Sequence, residues 1–239
     1  MEGKGLIGGF YRISNIITRF VGINLLWILF NLPLLYLALC TIYAQNINQL
    51  MTLGVTITIL APFVFFPSTT AMYGVIRKFI LSEEIRVFQS FLRYYKENYV
   101  RSMVGGLLIG LMWIVLIADY YYFTTFIEGW FKYLFINLAL FLFVFTLHFF
   151  SLTIHVHTKL KDTFKIALLL TFGNPLLTLV LGAITVLIIY LSFNVITFLI
   201  PFFLGSLISY VSFYGFHKLF MKIHSSYLTD PKTTDTIQN

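Results

Sequence analysis

The residues with the clearest chemical potential are histidines in the second half of the chain. His148 and His155 are seven residues apart, and His157 follows closely. Side chains at this spacing share one face of a helix, and imidazole is a common zinc ligand. His148 and His155 are therefore candidates for a metal site, although a third ligand would be needed. We favour the simpler interpretation of interfacial or hydrogen-bonded imidazoles and predict no metal and no cofactor.

Motifs of other known chemistries are missing from the sequence. It has no phosphate-binding glycine loop, no nucleophile elbow and no His-Glu-x-x-His pair. Carboxylates within a membrane mark proton and ion pathways, but no Asp or Glu falls in the middle of a long apolar run. We predict that the chain is not an enzyme, and these patterns weigh against a self-contained proton- or sodium-coupled transporter.

The elements that position these residues are membrane helices. Hydrophobic residues make up 59% of the 239 residues and charged residues only 10%, which excludes an ordinary soluble protein. The net charge is +7, but the basic residues lie between apolar runs rather than in one cluster, so no nucleic acid partner is expected. We predict an all-α, polytopic helical membrane protein with the lipid bilayer as its surroundings.

The apolar runs divide into six predicted transmembrane helices. Each is close to the length that crosses a hydrocarbon core of about 30 Å, and the long charge-free run after residue 175 must hold two of them. They form one transmembrane domain over residues 1–225, followed by a polar tail, residues 226–239, that is predicted to be disordered. The predicted spans are residues 21–43, 53–76, 103–123, 133–154, 176–193 and 195–216.

Two groups of residues indicate how the spans bend and pack. Pro62 and Pro67 each remove an amide donor, so the second span is predicted to be broken, with nearby hydroxyl groups or a neighbouring helix satisfying the freed carbonyls. A stripe of small residues at intervals of four begins the third span and predicts close approach of another helix. The hydroxyl residues are Ser68, Thr69 and Thr70, and the stripe is Ser102, Gly106 and Gly110.

Two short amphipathic helices are predicted on the cytoplasmic surface, over residues 82–99 and 162–172, with Ser82 and Asp162 as N-caps. Their basic residues could bind anionic lipids or a cytoplasmic partner, and lipid anchoring is already a sufficient cause for them. The residues assigned to lipid or partner docking are Arg86, Arg93, Lys96, Arg101, Lys159, Lys161 and Lys165.

The distribution of positive charge predicts the orientation of the chain. Of its 16 Lys and Arg residues, only Lys132 falls outside if the N-terminus is cytoplasmic. Segments rich in Lys and Arg remain in the cytoplasm. We therefore expect a multi-pass protein of a bacterial cell membrane with both termini in the cytoplasm.

Several motifs resemble the YesL family of bacterial membrane proteins. They comprise one group in the first span, the segment from Pro67 to Tyr73, and polar residues just before and at both ends of the first cytoplasmic helix. The resemblance implies a Gram-positive source and association with carbohydrate uptake systems, and it transfers no catalytic residue. The matching positions are Asn24, Trp27, Pro33, Tyr73, Lys78, Glu83, Glu84, Lys96 and Asn98.

Three functions remain open on the sequence alone. We favour a non-enzymatic membrane protein that assists or belongs to a carbohydrate uptake system, with transporter subunits as partners. The alternatives are a stand-alone transporter or channel with its site at the broken second span, and a metal-dependent membrane enzyme that uses His148 and His155. The sequence leaves self-association open.

Overall fold

The computed structural model describes residues 3–126, 130–156 and 158–229, and all regular secondary structure in these ranges is helical. The predicted all-α class is confirmed. The described helices, in chain order, are α1 (Gly3–Phe30), α2 (Leu32–Ile42), α3 (Ile47–Ile80), α4 (Val87–Phe126), α5 (Phe131–His155), α6 (Leu160–Gly173), α7 (Pro175–Asn194), α8 (Leu199–Phe202) and α9 (Leu204–Thr229).

Five of the described helices are long and apolar enough to cross a membrane: α1 from Gly8 onwards, α3, α4, α5 and α7. The protein is therefore a helical membrane protein. Helix α2 is apolar but has only 11 residues. Helix α9 has 26 residues, but it passes from an apolar first half into a segment that contains Lys218 and Lys222.

The predicted first span is divided at Asn31 instead of forming one helix. Pro33 lies in the first turn of α2, where a backbone amide has no partner within the helix, so the missing amide hydrogen of proline costs nothing there. The backbone amide of Asn31 donates to the carbonyls of Trp27 and Ile28 at 3.1 and 3.0 Å. Proline does not fit inside a continuous helix without cost, so a new helix starts here.

The predicted break in the second span is wrong, because α3 runs without interruption through Pro62 and Pro67. Pro67 has no amide hydrogen to donate to the carbonyl of Phe63. The Tyr99 hydroxyl of α4 donates to that carbonyl instead, at 3.2 Å. The Ser68 hydroxyl similarly donates to the carbonyl four residues before it, at 2.8 Å. These hydroxyl groups supply hydrogen bonds around the prolines, and the helix continues.

Helix α4 joins two elements that the sequence pattern separates. The predicted cytoplasmic helix 82–99 and the third span belong to one 40-residue helix, because no Gly or Pro lies between them. It begins at Val87, so the predicted cap at Ser82 is wrong. Ser82 has a φ of 56°, in the left-handed region, and lies in the turn that follows α3.

The second half of the chain follows its predicted order with shifted boundaries. Asp162 lies in the first turn of α6 and not at its N-cap, which is Lys159. Helix α7 ends at Asn194, at the predicted boundary between the fifth and sixth spans. The sixth span is divided at Phe203 into α8 and α9. Helix α9 continues to residue 229, so the start of the predicted tail is helical and the remainder lies outside the described residues.

Helix α3 is the centre of the bundle. Every residue from Phe66 to Ile76 is buried, and α3 contacts α1, α2, α4, α5 and α9. In a bilayer the outer surface of a bundle remains apolar, and large apolar side chains of α4, such as Leu107 and Val115, are exposed accordingly. The centre of the bundle combines large hydrophobic side chains with buried Ser, Thr and Asn residues.

Candidate functional site

Polar contacts join α1, α3 and α4 along the Ser-Thr-Thr segment, Ser68 to Thr70. The side-chain amide of Asn31 donates to the Ser68 hydroxyl at 2.7 Å, and the Trp27 indole donates to the Thr69 hydroxyl at 3.0 Å. On the other side of α3, the Ser102 hydroxyl donates to Thr70 at 2.8 Å. In a bilayer such hydrogen bonds connect helices that have no hydrophobic driving force between them. The segment is therefore a packing junction.

Asn24 fills the gap between α8 and α9 with a fully buried side-chain amide. Its nitrogen donates to the carbonyls of Ile200 and Pro201 at 3.1 and 2.8 Å. Its oxygen accepts from the backbone amides of Gly205 and Ser206 at 2.8 and 3.2 Å. These are groups that an interrupted helix leaves without partners. One side chain thus caps both ends of the interruption from a neighbouring helix.

The small residues of α4 allow close helix contacts, though not all in the predicted way. A Cβ atom at Gly106 would lie 2.5 Å from the Phe66 ring, and one at Gly105 would overlap the Phe149 ring. A Cβ atom at Gly110 would meet no neighbouring atom within 4 Å. The stripe that packs therefore includes Gly105, which the spacing of four did not indicate, and excludes Gly110.

An apolar cavity of about 540 Å³ lies beside Pro62 of α3. Helices α1, α3, α4, α5, α7 and α9 contribute to its wall, and the lining is mainly aliphatic and aromatic. Among the polar lining groups, the Thr69 hydroxyl is already bonded to Trp27. The cavity thus offers a hydrophobic ligand space. Its aromatic residues are Trp27, Phe65, Phe66, Tyr73, Trp113, Phe143, Phe150 and Phe193.

A second, polar cavity of about 880 Å³ lies at the end of the bundle where α3 and α5 terminate. We call it the arginine cavity. It is lined by Arg77, Glu83, Arg93, Tyr94, Glu97, Asn98, Arg101, Thr153, Ile154, His155 and Thr158. In the predicted orientation it opens to the cytoplasm.

Arg101 was predicted as a docking residue, but its side chain is engaged within the bundle. The guanidinium group donates to the carbonyls of Thr153 and Val156 at 3.4 and 3.2 Å, and to the Thr163 hydroxyl at 2.5 Å. It therefore closes the C-terminal end of α5 and ties it to α6. The other six predicted docking residues are exposed: Arg86, Arg93, Lys96, Lys159, Lys161 and Lys165.

The polar motif residues between α3 and α4 hold the turn that joins these helices. Arg77 forms an ion pair with Glu83 at 3.2 Å, and Lys78 donates to the backbone carbonyl of Glu84 at 3.3 Å. Asn98 donates to the carbonyl one turn before it in α4. Lys96 is exposed and Tyr73 is buried in the core.

His148 and His155 do not form the paired site that their seven-residue spacing suggested. His148 is fully buried and packs near the Phe216 ring of α9, with ring centres 6.4 Å apart. His155 instead faces His217, with ring centres 5.6 Å apart. Within the described residues no three His, Cys, Asp or Glu side chains form a group suited to a metal ion. His157 lies outside the described residues.

Two features of the site were missed in the sequence. Asn31 was not singled out, although it lies seven residues after Asn24 and four after Trp27, a spacing that puts all three on one helical face. The pairing of His155 with His217 brings together residues 62 positions apart. Nothing in the local pattern indicates that contact.

Comparison with known proteins gives a family but no solved structure. Residues 20–120 match the family described as "Protein of unknown function, DUF624". The uncharacterized protein YteU of Bacillus subtilis is 30% identical over 214 residues, which cover 88% of this chain and 84% of YteU. The uncharacterized protein YesL of the same organism is 26% identical, covering 82% of this chain and 81% of YesL. No solved structure matches significantly.

Proposed function

The chain belongs to the YesL-like family of proteins that carry the DUF624 region, and from this premise we propose that it is a non-enzymatic accessory or component of a carbohydrate uptake system. It would act in the cell membrane of a Gram-positive bacterium, with both termini in the cytoplasm. The carbohydrate assignment rests on the resemblance of its motifs to the YesL family. The accessory role rests on the structure of the bundle.

One observation carries the accessory role: most of the buried polar groups are used for packing. No Asp, Glu, Lys or Arg is buried in the described part of the chain, and the buried histidine, His148, has no buried carboxylate to exchange protons with. Asn24 and the hydroxyl groups of the Ser-Thr-Thr segment are bonded to other parts of the bundle. A coupled transporter keeps ionisable groups along its pathway. This arrangement supports a scaffold that binds a partner better than a protein that moves ions itself.

The exposed basic residues on the predicted cytoplasmic side provide a surface for that partner. Lys161 and Lys165 are exposed on one side of α6, four residues apart. Arg86, Arg93 and Lys96 are exposed at the start of α4 and in the turn before it. Subunits with acidic cytoplasmic surfaces would be attracted to this side, and the attraction would weaken with salt.

The test is copurification of the tagged full-length protein from its native membrane in a mild detergent. Transporter subunits identified by mass spectrometry should be enriched, and the Lys161→Gln, Lys165→Gln double variant should lose them. Lys132→Gln removes a charge on the opposite predicted side and should retain them. Repeated purification without any transporter subunit, together with unchanged sugar uptake in a deletion strain, would refute the proposal.

The orientation has a separate test. A phosphatase fused after Glu128 should be active, because phosphatase requires export and this position is predicted to lie outside. The same enzyme fused after Lys222 should be inactive. An inactive fusion at Glu128 would contradict the predicted topology.

The apolar cavity favours a second candidate, a transporter or channel for a hydrophobic molecule. The cavity lies at Pro62 and Tyr73, where the sequence predicted such a site, and α8 and α9 are separated by a short interruption beside it. Purified protein in liposomes should then catalyse flux without other subunits. Protein-dependent flux would favour this candidate over the accessory role.

A further inference from the structure

We propose that the arginine cavity binds a phosphate group, carried by a lipid headgroup or by a soluble phosphorylated molecule. Arg77, at the end of α3, and Arg101, in α4, line the same cavity as Arg93. The proposal goes beyond the accessory role and does not depend on it.

The first argument is the balance of charge around the cavity. Three arginines face two carboxylates, and both carboxylates have a partner: Glu83 pairs with Arg77 at 3.2 Å and Glu97 with Arg93 at 3.7 Å. Arg101 has no carboxylate within ion-pair distance in the described part of the chain. The cavity therefore has a surplus of one positive charge, apart from His155.

The second argument is an excess of hydrogen-bond donors. The Nε atoms of Arg77 and Arg101 are buried and have no partner among the described residues. An arginine nitrogen can only donate, so what the site lacks is an acceptor. Buried donors without acceptors cost free energy. Because these two atoms are closed to solvent, the guanidinium groups would have to turn toward the cavity to donate to a ligand with several acceptor oxygens, which would then relieve that cost.

Phosphate is the chemical group that fits both arguments. Its oxygens accept paired hydrogen bonds from planar guanidinium groups, and its charge offsets the surplus. A volume of about 880 Å³ leaves room for the molecule that carries the phosphate. The rest of the lining, including Asn98 and Thr158, could contact that molecule through polar groups.

Arg101 also has a structural role, because it holds the C-terminal end of α5 through the carbonyls of Thr153 and Val156. Loss of Arg101 would disturb the fold as well as the cavity. The test therefore uses Arg77, which donates a hydrogen bond to a partly exposed carboxylate, Glu83. Arg86 is a matched control, since it is exposed, pairs with Glu84 at 3.9 Å and does not line the cavity.

The experiment measures thermal unfolding of the full-length protein in maltoside micelles, which contain no phosphate. Inorganic phosphate is titrated against sodium chloride of equal ionic strength. In a second arm, dioleoyl phosphatidic acid is compared with dioleoylglycerol, which has the same chains without the phosphate. We expect a saturable rise in unfolding temperature with inorganic phosphate, with phosphatidic acid, or with both. A response to phosphatidic acid alone identifies a lipid headgroup as the source.

The variants decide whether the effect arises in the cavity. Arg77→Gln should raise the half-saturating concentration about tenfold, equivalent to about 1.4 kcal/mol, whereas Arg86→Gln should change it less than about twofold. If Arg77→Gln does not fold, Arg93→Gln replaces it and should weaken binding about threefold. The proposal is overturned if neither probe exceeds its matched control, or if the cavity variant and Arg86→Gln weaken binding equally.

Discussion

Replacing Asn24 by alanine should loosen the contact between α1 and the last two helices. The Asn24 amide bonds four backbone groups around the interruption between α8 and α9: two carbonyls, at Ile200 and Pro201, and two amides, at Gly205 and Ser206. Alanine offers none of these bonds. The four backbone groups would lose their partner in a fully buried position where bulk water does not replace it.

The magnitude follows from the number of bonds lost. Side-chain hydrogen bonds in membrane proteins contribute on average about 0.6 kcal/mol each, so four give roughly 2.4 kcal/mol. Each backbone group left unpaired can cost about 1–3 kcal/mol when the site does not relax. We expect Asn24→Ala to lower the free energy of unfolding by about 2–5 kcal/mol, a large part of the roughly 5–15 kcal/mol typical of a protein.

Unfolding by sodium dodecyl sulfate, followed by circular dichroism in mixed micelles, measures this difference. Asn137→Ala is the control, because the exposed Asn137 bonds only the carbonyl of Tyr133 within its own helix among the described residues. It should change the free energy by less than about 0.5 kcal/mol. If Asn24→Ala and Asn137→Ala have the same small effect, the side chain does not cap the interruption and our reasoning is wrong.

Three further changes test the packing around α3. Replacing the buried residues Ser68, Thr69 and Thr70 together by alanine should lower the free energy of unfolding by about 2–4 kcal/mol with little change in its pH dependence. Replacing the exposed threonines of the same helix, Thr52, Thr56 and Thr58, should not. Chemical unfolding compares the two triple variants. Gly106→Ala should cost about 1–3 kcal/mol through overlap with Phe66, and Gly110→Ala should cost none, as thermal unfolding can show. Tyr99→Phe should lower the free energy of unfolding by about 0.5–1.5 kcal/mol. The loss should be smaller when Pro67 is also replaced by alanine, because the alanine amide can donate to the Phe63 carbonyl. Equal losses with and without Pro67→Ala in this double-mutant cycle would contradict the account of α3.

Much of the architecture could be predicted because membrane insertion depends on summed local properties. The apolar runs predicted a helical membrane protein, and the motif at Pro67 to Tyr73 led to the correct family. Boundaries were less predictable. A new helix starts just before Pro33, where one continuous span was predicted, whereas α3 continues through Pro67 because a neighbouring residue, Tyr99, bonds the freed carbonyl.

Part of the candidate site could be predicted because its residues are recognisable from local composition. The Ser-Thr-Thr segment stood out by its polarity in an apolar run, yet its partners come from other elements: Trp27 from α1, Asn31 from the junction of α1 and α2, and Ser102 from α4. His148 and His155 share a helix, and the sequence therefore paired them. The fold places His155 against His217 because α9 packs on α5.

By itself, the sequence determined the helical membrane class, the family and the asymmetric distribution of positive charge, since hydrophobicity and charge act through the composition of each segment. The tertiary structure alone decided that α3 remains continuous, that Asn24 caps an interruption some 176 residues away, and that three arginines from α3 and α4 share one cavity with the end of α5. The reason is that a hydrogen bond depends on two groups meeting at about 3 Å. Helix packing brings those groups together, and the local sequence pattern does not indicate which groups will come into contact.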